Sequence, residues 1–111
     1  MSPSRKGLMI VMIDVESGHE DEFNRWYDQE HLPERAAIPG VLSARRFKAL
    51  KGNPKYLAVY ELENPDVLKS PAYRSVYDPK AGVVSAWSRK MEPHLQKLIK
   101  NIYVEITATS D

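Results

Sequence analysis

The sequence has no cysteine, only five glycines, and almost no net charge. Without cysteine the chain cannot form disulfides, thiolate nucleophiles, iron–sulfur clusters or cysteine-ligated zinc sites. No two glycines have the spacing of a dinucleotide-binding turn or a phosphate loop, and no G-x-S-x-G nucleophile elbow is present. Lysine and arginine number 16 against 15 acidic residues. The sequence therefore predicts neither nucleic acid nor an anionic membrane surface as the main partner.

Long hydrophobic runs are also missing. The apolar run from Leu8 to Ile13 stops at Asp14, which is far too early to span a bilayer, and no small-residue cleavage site follows it. We therefore expect a cytoplasmic protein. With 111 residues, of which 42% are hydrophobic, the chain is long enough for one packed core, so a single domain over 1–111 is expected.

The first predicted strand, 8–15, is apolar on both of its faces. Because alternate residues of a strand point to opposite sides, two separate apolar rows result. These rows are Leu8, Ile10 and Met12 on one side, and Met9, Val11 and Ile13 on the other. One layer of helices covers only one face of a sheet, so the second face predicts a homodimer in which another copy of the chain covers it.

The order of predicted elements is β-α-β-β-α-β, which is typical of an α+β, ferredoxin-like antiparallel sheet with helices on one face. Pro33 is expected to end or kink the first helix, with a further turn after it. Three capping residues before prolines, Asn64, Ser70 and Asp78, predict three later helix starts. The predicted strands are 8–15, 41–50, 56–63 and 101–107, and the predicted helices are 18–31, 65–70, 71–77 and 79–92.

The end of the first helix carries the main candidate for catalysis. Phe23, Trp26, Tyr27, Glu30 and His31 recur at the spacing of one helix face, so a carboxylate and an imidazole end an apolar stripe. Histidine titrates near neutrality and can act as a general acid or base, which Glu30 would orient or charge-stabilise. The structural alternative is that His31 caps a carbonyl while Glu30 pairs with an arginine: Arg35, Arg45 or Arg46.

Aromatic residues and one arginine form a second set of candidates, for substrate binding. Arg45 and Arg46 are consecutive on a strand, so one of them must enter the apolar layer, where a buried arginine usually holds a carboxylate. Aromatic rings lining a pocket would suit an aromatic or polyketide-like ligand. The predicted substrate-binding residues are Trp26, Tyr27, Arg46, Tyr60, Tyr73 and Trp87.

Metal binding is not expected from the sequence. His19, His31 and His94 are far apart in the chain, and none has the i, i+4 spacing of a helical zinc pair.

The segment 23–47, with its W-Y-x-x-E-H-L-P core over 26–33, resembles the EthD-like branch of the dimeric α+β barrel superfamily. The segments L-A-V-Y-E-L (57–62) and S-P-A-Y (70–73) extend the resemblance over most of the chain. It implies a ferredoxin-like protomer, two sheets packed face to face in a dimer, and a ligand cleft between sheet and helices. A histidine in an H-x-P context borders this cleft in several members, and His31 matches that position.

Members of that superfamily include cofactor-free monooxygenases, muconolactone-type isomerases, polyketide cyclases and haem-handling proteins, so the resemblance does not fix one reaction. The favoured hypothesis is a cofactor-free enzyme that acts on an aromatic, lactone or polyketide-like substrate, with His31 as acid or base. One alternative is a small-molecule binding module without turnover. Another is a haem-binding protein that uses His31 or His94 as axial ligand.

Overall fold

The computed structural model describes residues 5–77 and 85–109. In these ranges four antiparallel strands form one sheet in the order β2-β3-β1-β4. The strands are β1 (Gly7–Val15), β2 (Val41–Lys48), β3 (Tyr56–Leu62) and β4 (Leu95–Val104). This arrangement, with its helices packed on one face, confirms the α+β ferredoxin-like fold.

Short helical segments connect the strands. The α-helices are α1 (Glu20–Trp26), α2 (Leu32–Ala36), α3 (Pro71–Tyr77) and α4 (Ala86–Met91). A π-helical turn (Tyr27–His31) joins α1 to α2, and 3₁₀ turns span Pro65–Lys69 and Glu92–His94. The predicted start at Asp78 and the first part of the predicted helix 79–92 lie outside the described residues. In the described ranges, no helix is long and apolar enough to cross a membrane.

The first helical region does not end at the proline. The predicted helix over 18–31 begins two residues later, at Glu20, and the further turn predicted after Pro33 is present as α2, which ends at Ala36. The amide of Leu32 donates to the Tyr27 carbonyl, five residues back, which closes a turn wider than an α-helical one. The wider turn directly before Pro33 lets the chain pass the missing N–H and the proline ring without breaking.

The last strand is the main correction to the predicted elements. β4 spans Leu95–Val104, so it begins six residues before the predicted strand 101–107 and ends three before its end. A bulge opposite Met12 and Asp14 of β1 lies near Lys97, whose φ is +45°. This irregularity breaks the alternation of apolar and polar residues at the start of β4. The first residues of the strand therefore lack the two-residue period by which strands are predicted from sequence.

The core lies between the helices and the inner face of the sheet. Met9, Val11 and Ile13 are 2%, 8% and 3% exposed and pack there with the buried rings of Phe23 and Tyr60. The predicted second apolar row is on the outer face and is only partly buried. Strand pairing continues that row into an apolar surface, the outer sheet face, made of Leu8, Ile10, Met12, Phe47, Leu57, Val59, Ile99 and Tyr103.

Candidate functional site

A cleft of about 340 Å³ opens between the inner face of the sheet and the helical layer. Strands β1 and β4 form its apolar floor, and the π-helical turn, α2 and the α4 region form its walls. Its volume falls in the range typical of small-molecule sites. The cleft is lined by Val11, Ile13, Trp26, His31, Glu34, Arg35, Ser88, Glu92, Leu95, Leu98 and Lys100.

His31 is held in the cleft wall by two aromatic rings. Its ring centroid lies 4.4 Å from that of Trp26 and 4.6 Å from that of Tyr27, with the tyrosine edge-on. The Nδ1 atom is buried and has no hydrogen-bond partner among the described residues. Burial, together with the positive charges of Arg35 and Arg46, lowers the pKa of His31 to about 2. The imidazole is therefore neutral at physiological pH.

Glu30 does not extend toward His31 but ties the π-helical turn to α4. Its Oε2 accepts hydrogen bonds from Ser85 Oγ at 2.5 Å and Ser88 Oγ at 3.0 Å. It also accepts from Trp26 Nε1 at 3.2 Å, and the same indole nitrogen lies 3.1 Å from Ser88 Oγ. Because Trp26 packs on His31, Glu30 positions the imidazole through the indole ring.

The cleft lining also contains two cationic side chains, Arg35 and Lys100, and two carboxylates, Glu34 and Glu92. Arg35 is 5% exposed and pairs with Glu34 at 2.7 Å. Lys100 extends from β4 and donates to the Tyr73 hydroxyl at 2.5 Å. A neutral imidazole, the cations Arg35 and Lys100, and the carboxylates Glu34 and Glu92 thus share the lining of the cleft. The guanidinium and the ammonium are the groups that can stabilise negative charge developing on a flat ligand.

The other predicted binding residues lie mainly in the core. The hydroxyls of Tyr27 and Tyr60 are 3.0 Å apart and both side chains are fully buried, while Tyr73 contacts the cleft residue Lys100. Trp87 packs against the core and is not in the cleft lining. The predicted set therefore includes two side chains that line the cleft directly, His31 and Trp26.

Arg46, and not Arg45, is the arginine that enters the layer between the sheet and the helices. One of the two had to do so, because consecutive residues of a strand point to opposite faces. Its guanidinium lies 4.6 Å from the Tyr27 ring centroid and bonds Asp28 at 2.7 Å and Asn24 at 2.8 Å. Its side chain is 15% exposed, against 59% for Arg45, which pairs with Glu61 on the outer face. Arg46 lies behind the aromatic layer rather than in the cleft lining, and acts on His31 through its charge.

Sequence reasoning missed two cleft residues, Arg35 and Lys100. Arg35 is four residues after His31, in the turn predicted after Pro33, and a turn continuous with the first helix would have placed both side chains on one face. Lys100 lies before the predicted start of the last strand, so its position depended on finding that strand's true beginning.

A larger hollow, about 560 Å³, lies against the outer sheet face near Leu8, Ile10 and Tyr103. Its lining contains no histidine and belongs to the face that a second copy would cover. We therefore place the candidate site in the smaller cleft, where a neutral imidazole meets two cations.

No protein-family model matches the sequence, and comparison with curated proteins finds no match. Solved structures, in contrast, match nearly the whole chain. A dimeric ferredoxin-like protein of unknown function from Thermobifida fusca has 15% identity and a TM-score of 0.62, and the match covers 95% of each chain. A variant of SnoaB, a cofactor-independent oxygenase from Streptomyces nogalater, has 11% identity and a TM-score of 0.69, covering 96% of this chain and 98% of that one.

The haem-degrading protein MhuD from Mycobacterium tuberculosis, with two haems bound, has 15% identity and a TM-score of 0.65, covering 94% of this chain and 99% of that one. At these identities the matches establish the fold and not the activity. They agree with the fold implied by the dimeric α+β barrel superfamily, whereas the EthD-like branch remains a prediction. The chain has the α+β ferredoxin-like fold shared by these dimeric and ligand-binding proteins.

Proposed function

We propose that the protein is a cofactor-free enzyme that binds a small aromatic, lactone or polyketide-like substrate in the cleft and removes a proton from it with His31. The observation that supports this proposal most is a neutral, partly buried imidazole that shares its cleft with the cations Arg35 and Lys100. The proton moves from an acidic O–H or C–H group of the substrate to the imidazole, and leaves an oxyanion or enolate. This step is common to isomerase, cyclase and monooxygenase types of chemistry.

The charges of the cleft favour that transfer once a substrate is bound. In the free protein, burial and, in addition, nearby positive charge make the imidazolium unfavourable. The same charge stabilises a phenolate or enolate, and so lowers the pKa of the bound substrate. An anion formed beside His31 would then offset the positive charge that disfavours the imidazolium. The pKa values of His31 and of the substrate therefore approach each other only in the complex.

A spectroscopic titration with 4-nitrophenol as the probe tests this proposal, because its absorbance changes when the phenol ionises. We expect the phenol to bind and to ionise at a lower pH in the protein than in buffer. The downward shift in the pKa of the bound phenol should be lost in His31→Ala, because the proton acceptor is removed. The shift should be smaller in Arg35→Gln, because a charge that stabilises the phenolate is removed. Lys69→Gln, at an exposed side chain outside the cleft lining, is the matched control and should behave as wild type.

Three results would count against this function. Binding with an unchanged ionisation of the probe, equal in wild type and His31→Ala, would favour a binding module without turnover. A shift that persists in both His31→Ala and Arg35→Gln would place the probe elsewhere. The third result would come from a titration with haem. A shift of the Soret absorption band that is lost in His31→Ala would favour the haem-binding alternative. His94 fits that alternative poorly, because its ring stacks on His19 outside the cleft lining.

The assembly proposed for this function is a homodimer formed through the outer sheet face. Leu8, Ile10 and Met12 lie there, and each has an apolar or aromatic neighbour on β3 or β4, while Glu61 and Asn101 are polar positions of the same face. Phe47, Ile99 and Tyr103 are the most exposed members, at 46%, 40% and 48%. An apolar surface of this extent is typical of protein–protein contacts, and dimeric proteins are among the similar structures.

A further inference from the structure

Three metal-binding side chains that are far apart in the sequence meet at one end of the sheet. They are Glu16, which directly follows β1, His19, which precedes α1, and His94, which precedes β4. The ligand atoms of all three lie within 4.8 Å of one another. We propose that Glu16, His19 and His94 bind a divalent transition-metal ion, with Zn²⁺ as the best match to the two imidazoles and one carboxylate.

The distances between the ligand atoms support a site of this size. Glu16 Oε1 lies 2.9 Å from His94 Nδ1 and 3.4 Å from His19 Nε2. Zinc bonds of about 2.0–2.2 Å to nitrogen and oxygen place the ligand atoms of a tetrahedral site about 3.3–3.6 Å apart. The carboxylate-to-imidazole distances therefore need to change by only about 0.5 Å, and the main rearrangement for binding is a rotation of the two imidazoles.

The backbone holds these side chains together independently of any ion. The amide of Glu16 donates to the His94 carbonyl at 2.8 Å, and the amide of His19 donates to the Glu16 carbonyl at 3.1 Å. Both loops are thereby fixed to each other before binding, so little loop ordering is required. The imidazole rings of His19 and His94 stack at 3.6 Å with their planes 13° apart, and they must rotate out of this stack to direct both nitrogens at one ion.

The exposure of the cluster is suited to uptake of an ion from solution. The side chains of His19, His94 and Glu16 are 36%, 28% and 49% exposed. Three protein ligands with an open side leave a fourth position for water, as in zinc sites with a His₂Glu ligand set. His94 also lies between Glu92 and Leu95, two residues of the cleft lining, so an ion here would fix one rim of the candidate active site.

Calorimetric titration of untagged protein with ZnCl₂ at pH 7.5 tests the site. We expect one ion per protomer, held by the two imidazoles and the carboxylate. His19→Ala and His94→Ala should each weaken binding at least tenfold. Asp21→Asn is the matched control, since this exposed carboxylate is two residues from His19 but outside the cluster. Co²⁺ should give the visible absorption bands of a four-coordinate site, and both alanine variants should lose them.

The His31→Gln variant separates this site from the candidate active site, and it should still bind one zinc ion. Loss of the ion in that variant would assign it to the cleft and overturn the proposal. Absence of saturable binding at tenfold excess Zn²⁺, or unchanged binding in the double variant of His19 and His94, would overturn it too. Circular dichroism of each variant ensures that lost binding is not lost folding, and His19, in an exposed loop, is the safer substitution.

Discussion

Protonation of His31 should make the stability of the protein depend steeply on pH. In the unfolded chain this imidazole has an ordinary pKa of about 6.5, whereas in the fold burial and the charges of Arg35 and Arg46 hold it near 2. Between these values the unfolded state binds a proton that the folded state does not. Stability attributable to the neutral imidazole is therefore complete above about pH 6.5 and is lost as the pH falls toward 2.

The magnitude follows from these two pKa values. At pH 5 the unfolded chain gains 2.303RT for each unit below 6.5, so wild type should lose up to about 2 kcal/mol between pH 7.5 and 5 relative to His31→Gln. Residual contact of the ring with water can only reduce this figure, because solvent screens the charge. We therefore compare the free energy of unfolding of wild type with that of His31→Gln. The difference between them should change by about 1.4 kcal/mol per pH unit below pH 6.

Urea denaturation of both proteins at fixed protomer concentration, at half-unit steps from pH 7.5 to 5, measures this difference. A background in which His19 and His94 are both replaced by glutamine removes the other imidazoles, and the His31-dependent slope should persist there. Parallel stability curves for wild type and His31→Gln would show that His31 protonates in the folded protein. That result would refute the reasoning that burial keeps the ring neutral.

Three further predictions concern the dimer, the Glu30 contacts and one turn. Ile10→Asp, on the outer sheet face, should convert a dimer of twice 12.7 kDa into a folded monomer, measured by light scattering, whereas Val11→Asp in the core should lower stability by several kcal/mol. Glu30→Ala leaves the hydroxyls of Ser85 and Ser88 without their carboxylate acceptor, while the Trp26 indole keeps Ser88, and should cost about 1–3 kcal/mol in chemical denaturation. Gly40→Ala should lower the free energy of unfolding more than Gly52→Ala in the same assay. Both glycines have φ near +95°, so both substitutions strain the backbone. A Cβ at Gly40 would in addition lie 2.5 Å from a methyl group, whereas the space at Gly52 is open. Equal losses in the two glycine variants would show that only backbone strain matters.

The sheet was predictable because apolar alternation reports burial directly. The pattern of β1 indicated two different apolar environments, and the consecutive pair Arg45 and Arg46 indicated that one arginine must lie inside. Partners brought together by long-range contacts were not predictable. Ser85 and Ser88 bind Glu30 from more than fifty positions away, and the sequence contains no periodic signal of that contact.

The errors in the site share one physical origin, which is local backbone irregularity. The sequence predicted an end or kink at Pro33 and a further turn after it, but not that a π-helical turn would carry helical backbone past the proline and bring Arg35 into the same cleft lining as His31. The bulge in β1 and β4 similarly hid the early part of the last strand, and with it Lys100. Irregular turns and bulges recur near functional sites because they redirect a few side chains without changing the fold. The two residues that give the cleft its positive charge are the two that these irregularities place there.

The neutral His31, which lies near cations, should take a proton poorly from water. It should take one more readily from a bound acid that leaves an anion next to the ring. Protonating His31 in the free protein would place a charge on a buried ring and put it near the positive charges of Arg35 and Arg46, and for both reasons, burial first, the pKa of the ring is low. A ligand that arrives neutral and donates its proton creates the compensating anion in the same step, so the cost of charging the ring falls only when the substrate is in place. A ligand without an acidic proton would gain no such compensation. The same electrostatics that leave the free imidazole unprotonated thus restrict proton transfer to bound phenols, enols and activated C–H acids.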